Sequence, residues 1–284
     1  MLRLAADAFL VADAPHAIPR APRYLLLLVV SAHFLFHLLS PSSRLSASDR
    51  FSLGGSAVAL ALFFLVGREA LRPARAGDAE AERLFRKRRA WLVVLVPAVI
   101  CTAVASVLEP RLLLDVAFAP DAAAARELFL RSVEHDTWGS RFVTLMMWSE
   151  LVVDLWLGTL EYAEHLPLLS WLHHCVYVFI MQWLCDERIC GGFGALLLNE
   201  APVVLLALGS IDARLRLDLP FGVSYFVTRI VLCGIQHYLH FLWNPRQFVW
   251  RFMCGAMLLH CVWFGQWVLS YRRRIGRKSA AKAE

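Results

Sequence analysis

The sequence predicts an all-α protein, a polytopic membrane helix bundle with about eight transmembrane helices. Three observations carry this. The chain of 284 residues is 59% hydrophobic and only 18% charged, with mean hydropathy +0.56, which is too apolar for an ordinary soluble domain. Apolar windows recur along it, each near the roughly 20 residues that a spanning helix requires. The basic residues fall between these windows, where topology signals lie. In a soluble protein a net charge of +6 and a pI near 9.1 would suggest nucleic acid. Here the basic residues cluster between the apolar windows and no nucleic-acid motif is present, so no nucleic-acid partner is expected.

The first 23 residues contain Asp7, Asp13, Pro15 and Pro19 and lack a continuous apolar core, so they make a poor cleavable signal and targeting falls to the first span. The windows follow at 24–40, 51–67, 90–108, 142–160, 166–185, 192–209, 219–243 and 250–271. Water is absent from the bilayer core, so every backbone group must be satisfied within its own segment. The windows are therefore read as helices, since strand-like alternation is missing.

Between the second and third windows lies a basic segment with Arg68, Arg72, Arg75, Arg83, Arg86, Lys87, Arg88 and Arg89, and the tail carries Arg272, Arg273, Arg274, Arg277 and Lys278. Such excess marks the cytoplasmic side, and an even number of spans puts both termini there. The acidic segment 109–141 then faces the opposite side. The chain divides into an N-terminal segment with two spans and a basic loop (1–84), a membrane domain (85–271) and a basic cytoplasmic tail (272–284). Seven cysteines include no metal-type pair. Only Cys185 and Cys190, in "CDERIC", are close together, and all seven are read as free thiols.

Ionisable groups inside spans are costly and mark functional candidates. The fourth window carries Glu150 and Asp154, four residues apart and so on one helix face, which must point inward. The fifth carries His173 and His174. Adjacent helical side chains diverge by about 100°, so one histidine faces a cavity and the other braces it. The sixth adds Asn199 and Glu200 just before Pro202. That proline obstructs the Leu198 carbonyl and predicts a kink beside the polar pair. The seventh holds Arg229, always charged, whose natural partner is Glu150, Asp154 or Glu200. His237 and His240 read as interfacial, and His33, His37 and His260 as isolated.

Taken in order, "MMWSELVVDLW", "LPLLSWLHHCVYVF", "GALLLNEAPVVLLALGS" and "FGVSYFVTRIV" resemble the successive signatures of the TLC-domain family. The match falls on Asp154, His173 and His174, Glu200 with Pro202, and Arg229, within about residues 85–271. Two departures are visible. The preceding span has Pro97 and Ile100 where the family carries a serine and a histidine, and the extended ceramide-synthase motif after the histidine pair is missing.

The resemblance implies an all-helical membrane domain of lipid metabolism or lipid homeostasis, set in the endoplasmic reticulum rather than the plasma membrane. Its partners would be membrane lipids and fatty acyl chains. If it is an enzyme, the reaction is acyl-CoA-dependent lipid acyl transfer of the ceramide-synthase kind. In that form His173, His174 and Asp154 are catalytic, Glu150, Asn199, Glu200 and Arg229 line the cavity, and acyl-CoA is a co-substrate rather than a bound cofactor. A non-catalytic regulator of membrane lipid composition and a proton-coupled carrier are the alternatives. No metal is expected, because the histidine spacings match no zinc motif.

Overall fold

A computed structural model describes residues 20–71, 79–162, 168–244 and 247–283. The N-terminal segment's first 19 residues, Arg72 and Arg75 of the basic loop lie outside them. All regular elements among the described residues are helical. They are α1 (Arg20–Leu39), α2 (Ala47–Ala70), α3 (Ala79–Ala117), α4 (Ala122–Glu134), α5 (Trp138–Glu161), α6 (Leu168–Asp186), α7 (Cys190–Leu196), α8 (Ala201–Ile211), α9 (Asp218–Tyr225), α10 (Cys233–Trp243) and α11 (Gln247–Ala283).

Each apolar window falls on a helix or a pair of collinear helices. Six helices among the described residues are long and apolar enough to cross a membrane: Ala47–Ala70, Glu80–Ala117, Trp138–Glu161, Cys190–Ile211, Asp218–Trp243 and Met253–Gly276. The chain is a multi-pass integral membrane protein. α1 is apolar but shorter over Tyr24–Leu39.

The bundle is organised around α5. Ser140, Val143 to Leu155, Gly158 and Thr159 are all buried, so this helix meets neighbours on every side. It packs against α1, α2, α3, α6 and α7. Such a helix must satisfy its polar side chains internally. Ser149 Oγ donates to the Leu53 carbonyl of α2 at 2.8 Å, and Thr144 and Thr159 bond the carbonyls four residues back, at 2.8 and 2.6 Å. Local sequence sets where α2 and α5 begin. Ser46 with Asp49, and Thr137 with Ser140, form reciprocal caps that satisfy the free amides of a first turn.

Three features depart from the sequence reading. Segment 109–141 is not a loop from Glu109 onward: α3 runs through Pro110 to Ala117 and α4 follows. Glu109 is buried, with Gln236 of α10 donating to its carboxylate. The described residues of the basic loop belong largely to the end of α2 and the start of α3. The tail continues α11 as helix to Ala283.

Close helix contacts need small residues. A Cβ on Gly191 would meet the Ser132 carbonyl oxygen at 2.1 Å, and one on Gly222 would meet the Trp267 ring at 1.9 Å. Only glycine lets α7 sit on the end of α4 and α9 sit on α11.

Opposite ends of the bundle are tied by different charges. At one end Arg141 bonds both Asp49 oxygens at 2.7 and 2.8 Å and Asp136 at 2.6 Å. At the other, Arg68 and Arg89 reach Glu161 at 3.1 and 2.8 Å. These contacts join the start of α2 to the start of α5, and the end of α2 to the end of α5 and the start of α3.

Candidate functional site

Two irregular turns position the polar side chains of the site. Pro202 has no amide to give to the Leu198 carbonyl, so the backbone tightens into a 3-10 turn over Leu197–Glu200, and the Ala201 amide takes that carbonyl instead. Asn199 and Glu200 sit on this turn. Facing it, Phe226–Leu232 is wound as a π-helix between α9 and α10, with Arg229 in the middle. A wider turn of this kind shifts a side chain out of the regular helical register, and such turns concentrate at functional sites. Arg229 Nε donates to the Asn199 carbonyl at 2.7 Å, and Nη2 to Glu200 Oε1 at 3.4 Å. Its guanidinium carbon lies 5.3 Å from the centroid of the Tyr225 ring.

The two histidines of α6 part company. His174 turns toward α5, with Nδ1 3.2 Å from Asp154 Oδ2 but without hydrogen-bond alignment. Tyr162 Oη donates to the other Asp154 oxygen at 2.5 Å, and Asp154 is 3% exposed. His173 turns the other way, its ring 4.2 Å from that of Tyr177, into a cavity of about 210 Å³.

That cavity joins α5 and α6 to the π-turn, α10 and α11. Apolar wall comes from Met147, Leu151, Ile180, Leu184 and Trp263, and the polar groups include His173, Asn199, Glu200 and Arg229. Of the seven residues the sequence singled out, these four line one space. Asp154 and His174 lie behind it as a separate pair with Tyr162. Glu150, 5% exposed, connects the two groups by charge, within electrostatic reach of both Asp154 and Glu200.

Sequence reasoning passed over several residues that reach the same space. His240 lines the cavity and bonds Asn244 at 2.9 Å. His260 of α11 lines it as well, within electrostatic reach of His173 and Arg229. Glu134, Tyr177 and Cys233 line it too. Tyr162 had no signal beyond being a tyrosine at a span end. For His260 a signal did exist: it stands in an apolar window at the same expense as His173.

Among the described residues no three His, Cys, Asp or Glu side chains are grouped to hold a metal ion. What the arrangement offers is an apolar-walled cavity with hydrogen-bonding and charged groups in its lining. His173 and His260 present imidazoles there, and Arg229 is paired with Glu200. Fold and site together define a polytopic helical membrane protein with an internal cavity of mixed lining. Comparison with family models, curated proteins and solved structures gives no match.

Proposed function

We propose that this protein handles a lipid inside the membrane, binding a fatty acyl chain along the apolar wall and the attached polar group at His173, Asn199, Glu200 and Arg229. The TLC-type motifs in the sequence support this reading, with eight helical crossings, both termini in the cytoplasm and residence in the endoplasmic reticulum. The observation that carries it is the cavity itself, whose walls are apolar and whose polar groups converge. Ligand pockets for drug-sized molecules begin at about 300 Å³. A space of about 210 Å³ therefore suits one chain end with its headgroup rather than a whole two-chain lipid.

In its catalytic form the activity is acyl transfer from acyl-CoA. His173, the histidine of the pair that faces the cavity, takes the proton from an acceptor amine or hydroxyl. The acceptor attacks the thioester carbonyl, a C–N or C–O bond forms, the C–S bond breaks and CoA leaves as its thiol. Arg229 and the nearby donors stabilise charge developing on the carbonyl oxygen. Glu150, Asp154 and Glu200 also form a line of carboxylates, which favours proton-coupled transport as the second reading.

Mass spectrometry of lipids copurifying with the detergent-extracted protein tests the proposal, followed by incubation with a long-chain acyl-CoA and amine or alcohol acceptors. A retained single-chain lipid, lost in Arg229→Gln, is the expected result. Retention without transfer makes the protein a non-catalytic regulator. An empty cavity together with proton flux in liposomes would replace this reading by the carrier.

A further inference from the structure

The cysteine pair in "CDERIC" lies outside the cavity chemistry. α6 closes on a left-handed residue, Arg188 at φ 56°, and the Ile189 amide reaches back to the Leu184 carbonyl at 3.0 Å, the pattern of a helix C-terminus that reverses direction. The reversal sets Cys190, first residue of α7, beside the last turn of α6. The sulfur atoms of Cys185 and Cys190 are 3.9 Å apart, and the two residues are 1% and 0% exposed.

One ion-pair network holds both backbones. Arg141 donates to the Cys185 carbonyl at 3.1 Å, Asp136 accepts from the Cys190 amide at 2.6 Å, and Arg141 and Asp136 are joined at 2.6 Å. The thiols are thus presented to each other by a scaffold that does not depend on a bond between them.

We propose that Cys185 and Cys190 are a modification site, joined in the mature protein as an intramolecular disulfide. This rests on the proposed topology, which puts the α6–α7 turn on the non-cytoplasmic side, where disulfides form and persist. The oxidant is a protein or glutathione disulfide of that compartment. One cysteine thiolate attacks its S–S bond and releases one thiol, and the second cysteine then displaces the other. Two protons and two electrons leave the pair, one S–S bond forms, and the oxidant departs as two thiols. Because both sulfurs are buried in the folded chain, exchange precedes the packing of α7 against α4 and α5. The bond fixes the turn that supplies Leu184, Ile189 and Phe193 to the cavity wall.

The test uses full-length protein extracted with excess N-ethylmaleimide and digested without reduction. Trypsin cuts after Arg188, between the cysteines, so the disulfide holds two peptides in one species that a reductant splits. That species as the main form supports the proposal, and maleimide adducts on both Cys185 and Cys190 overturn it. A second measurement is the free-thiol content after unfolding in dodecyl sulfate, with and without reductant: two fewer free thiols per chain before reduction than after, and no such difference in Cys185→Ser, supports the proposal, and equal counts in the wild-type protein overturn it. A glycosylation acceptor between α3 and α4 reports sidedness in the same preparation. Adducts with a glycosylated acceptor sink the cysteine pair alone, and adducts with an unglycosylated one sink the topology with it.

Discussion

Arg141 and Arg229 are both arginines within helices that cross the membrane, and they are used in opposite ways. Arg141 spends its fork on three carboxylate oxygens and a carbonyl, all between 2.6 and 3.1 Å, at a point where α2, α4, α5 and α6 meet. Arg229 makes one short bond, to a backbone carbonyl, and a longer one to Glu200 at 3.4 Å, beside a cavity. Four of the five N–H groups of the first are taken by the protein, so little is left for a ligand. The second keeps hydrogen-bonding capacity directed at a space. Cost alone does not tell a functional charge from a structural one in a membrane protein; the degree of satisfaction does.

The largest expected effect follows from Arg141. Its removal leaves Asp49 and Asp136 without their cation, and breaking a buried ion pair from one side costs about 3–5 kcal/mol. Arg141→Gln should lower the thermal midpoint in detergent sharply and reduce the yield of monodisperse protein. A midpoint unchanged from wild type would break the comparison at its structural end.

Arg229→Gln should reverse the pattern, lowering lipid retention at least tenfold, or about 1.4 kcal/mol, with less than half the thermal shift of Arg141→Gln. Glu200→Gln should do less, because the Asn199 carbonyl still holds Arg229. If Arg229→Gln unfolds as readily as Arg141→Gln while any folded fraction keeps its lipid, Arg229 is a second structural clamp.

The helical architecture was legible because hydropathy over 20 residues reports transfer from water to lipid, and six of the eight windows coincide with helices long and apolar enough to cross a membrane. The Pro202 break was legible too, since a missing amide is a local fact. The π-turn at Arg229 was not, because no residue type in Phe226–Leu232 announces a wider turn. Arg229 with Glu200 followed from charge matching, but charge matching allowed Glu150 and Asp154 equally, and only the fold chose. His260 was set aside as isolated in sequence, yet α11 brings it to the cavity beside His173. Glu109 was read as the start of the acidic segment beyond the third window, because its partner Gln236 lies over a hundred residues away in sequence.

Between the two extremes stand the paired histidines. His173→Ala should reduce lipid retention or acyl transfer at least tenfold with little change in thermal midpoint, since the ring faces the cavity. His174→Ala should lower stability through the lost packing of the ring and its contact with Asp154, and leave lipid retention within a factor of two. Lipid analysis and unfolding curves on both single variants, with the double alanine variant beside them, check this. Equal lipid loss in the two single variants would merge the pair into one functional unit.

The smallest effect sharpens the boundary of the site. Tyr162→Phe removes only the hydroxyl that bonds Asp154 at 2.5 Å, keeping the ring that packs near Phe64. Asp154 keeps His174 as a neighbour, so the loss is one hydrogen bond, about 1 kcal/mol within the range measured between membrane helices. Asp154, His174 and Tyr162 lie behind the cavity wall rather than in it, so lipid retention should match wild type while the thermal midpoint drops slightly. Should retention collapse in Tyr162→Phe with the midpoint unmoved, the buried Asp154 group governs the cavity through Glu150, and the functional site extends across α5. That outcome would also make the carboxylate line, rather than the apolar slot, the feature to pursue.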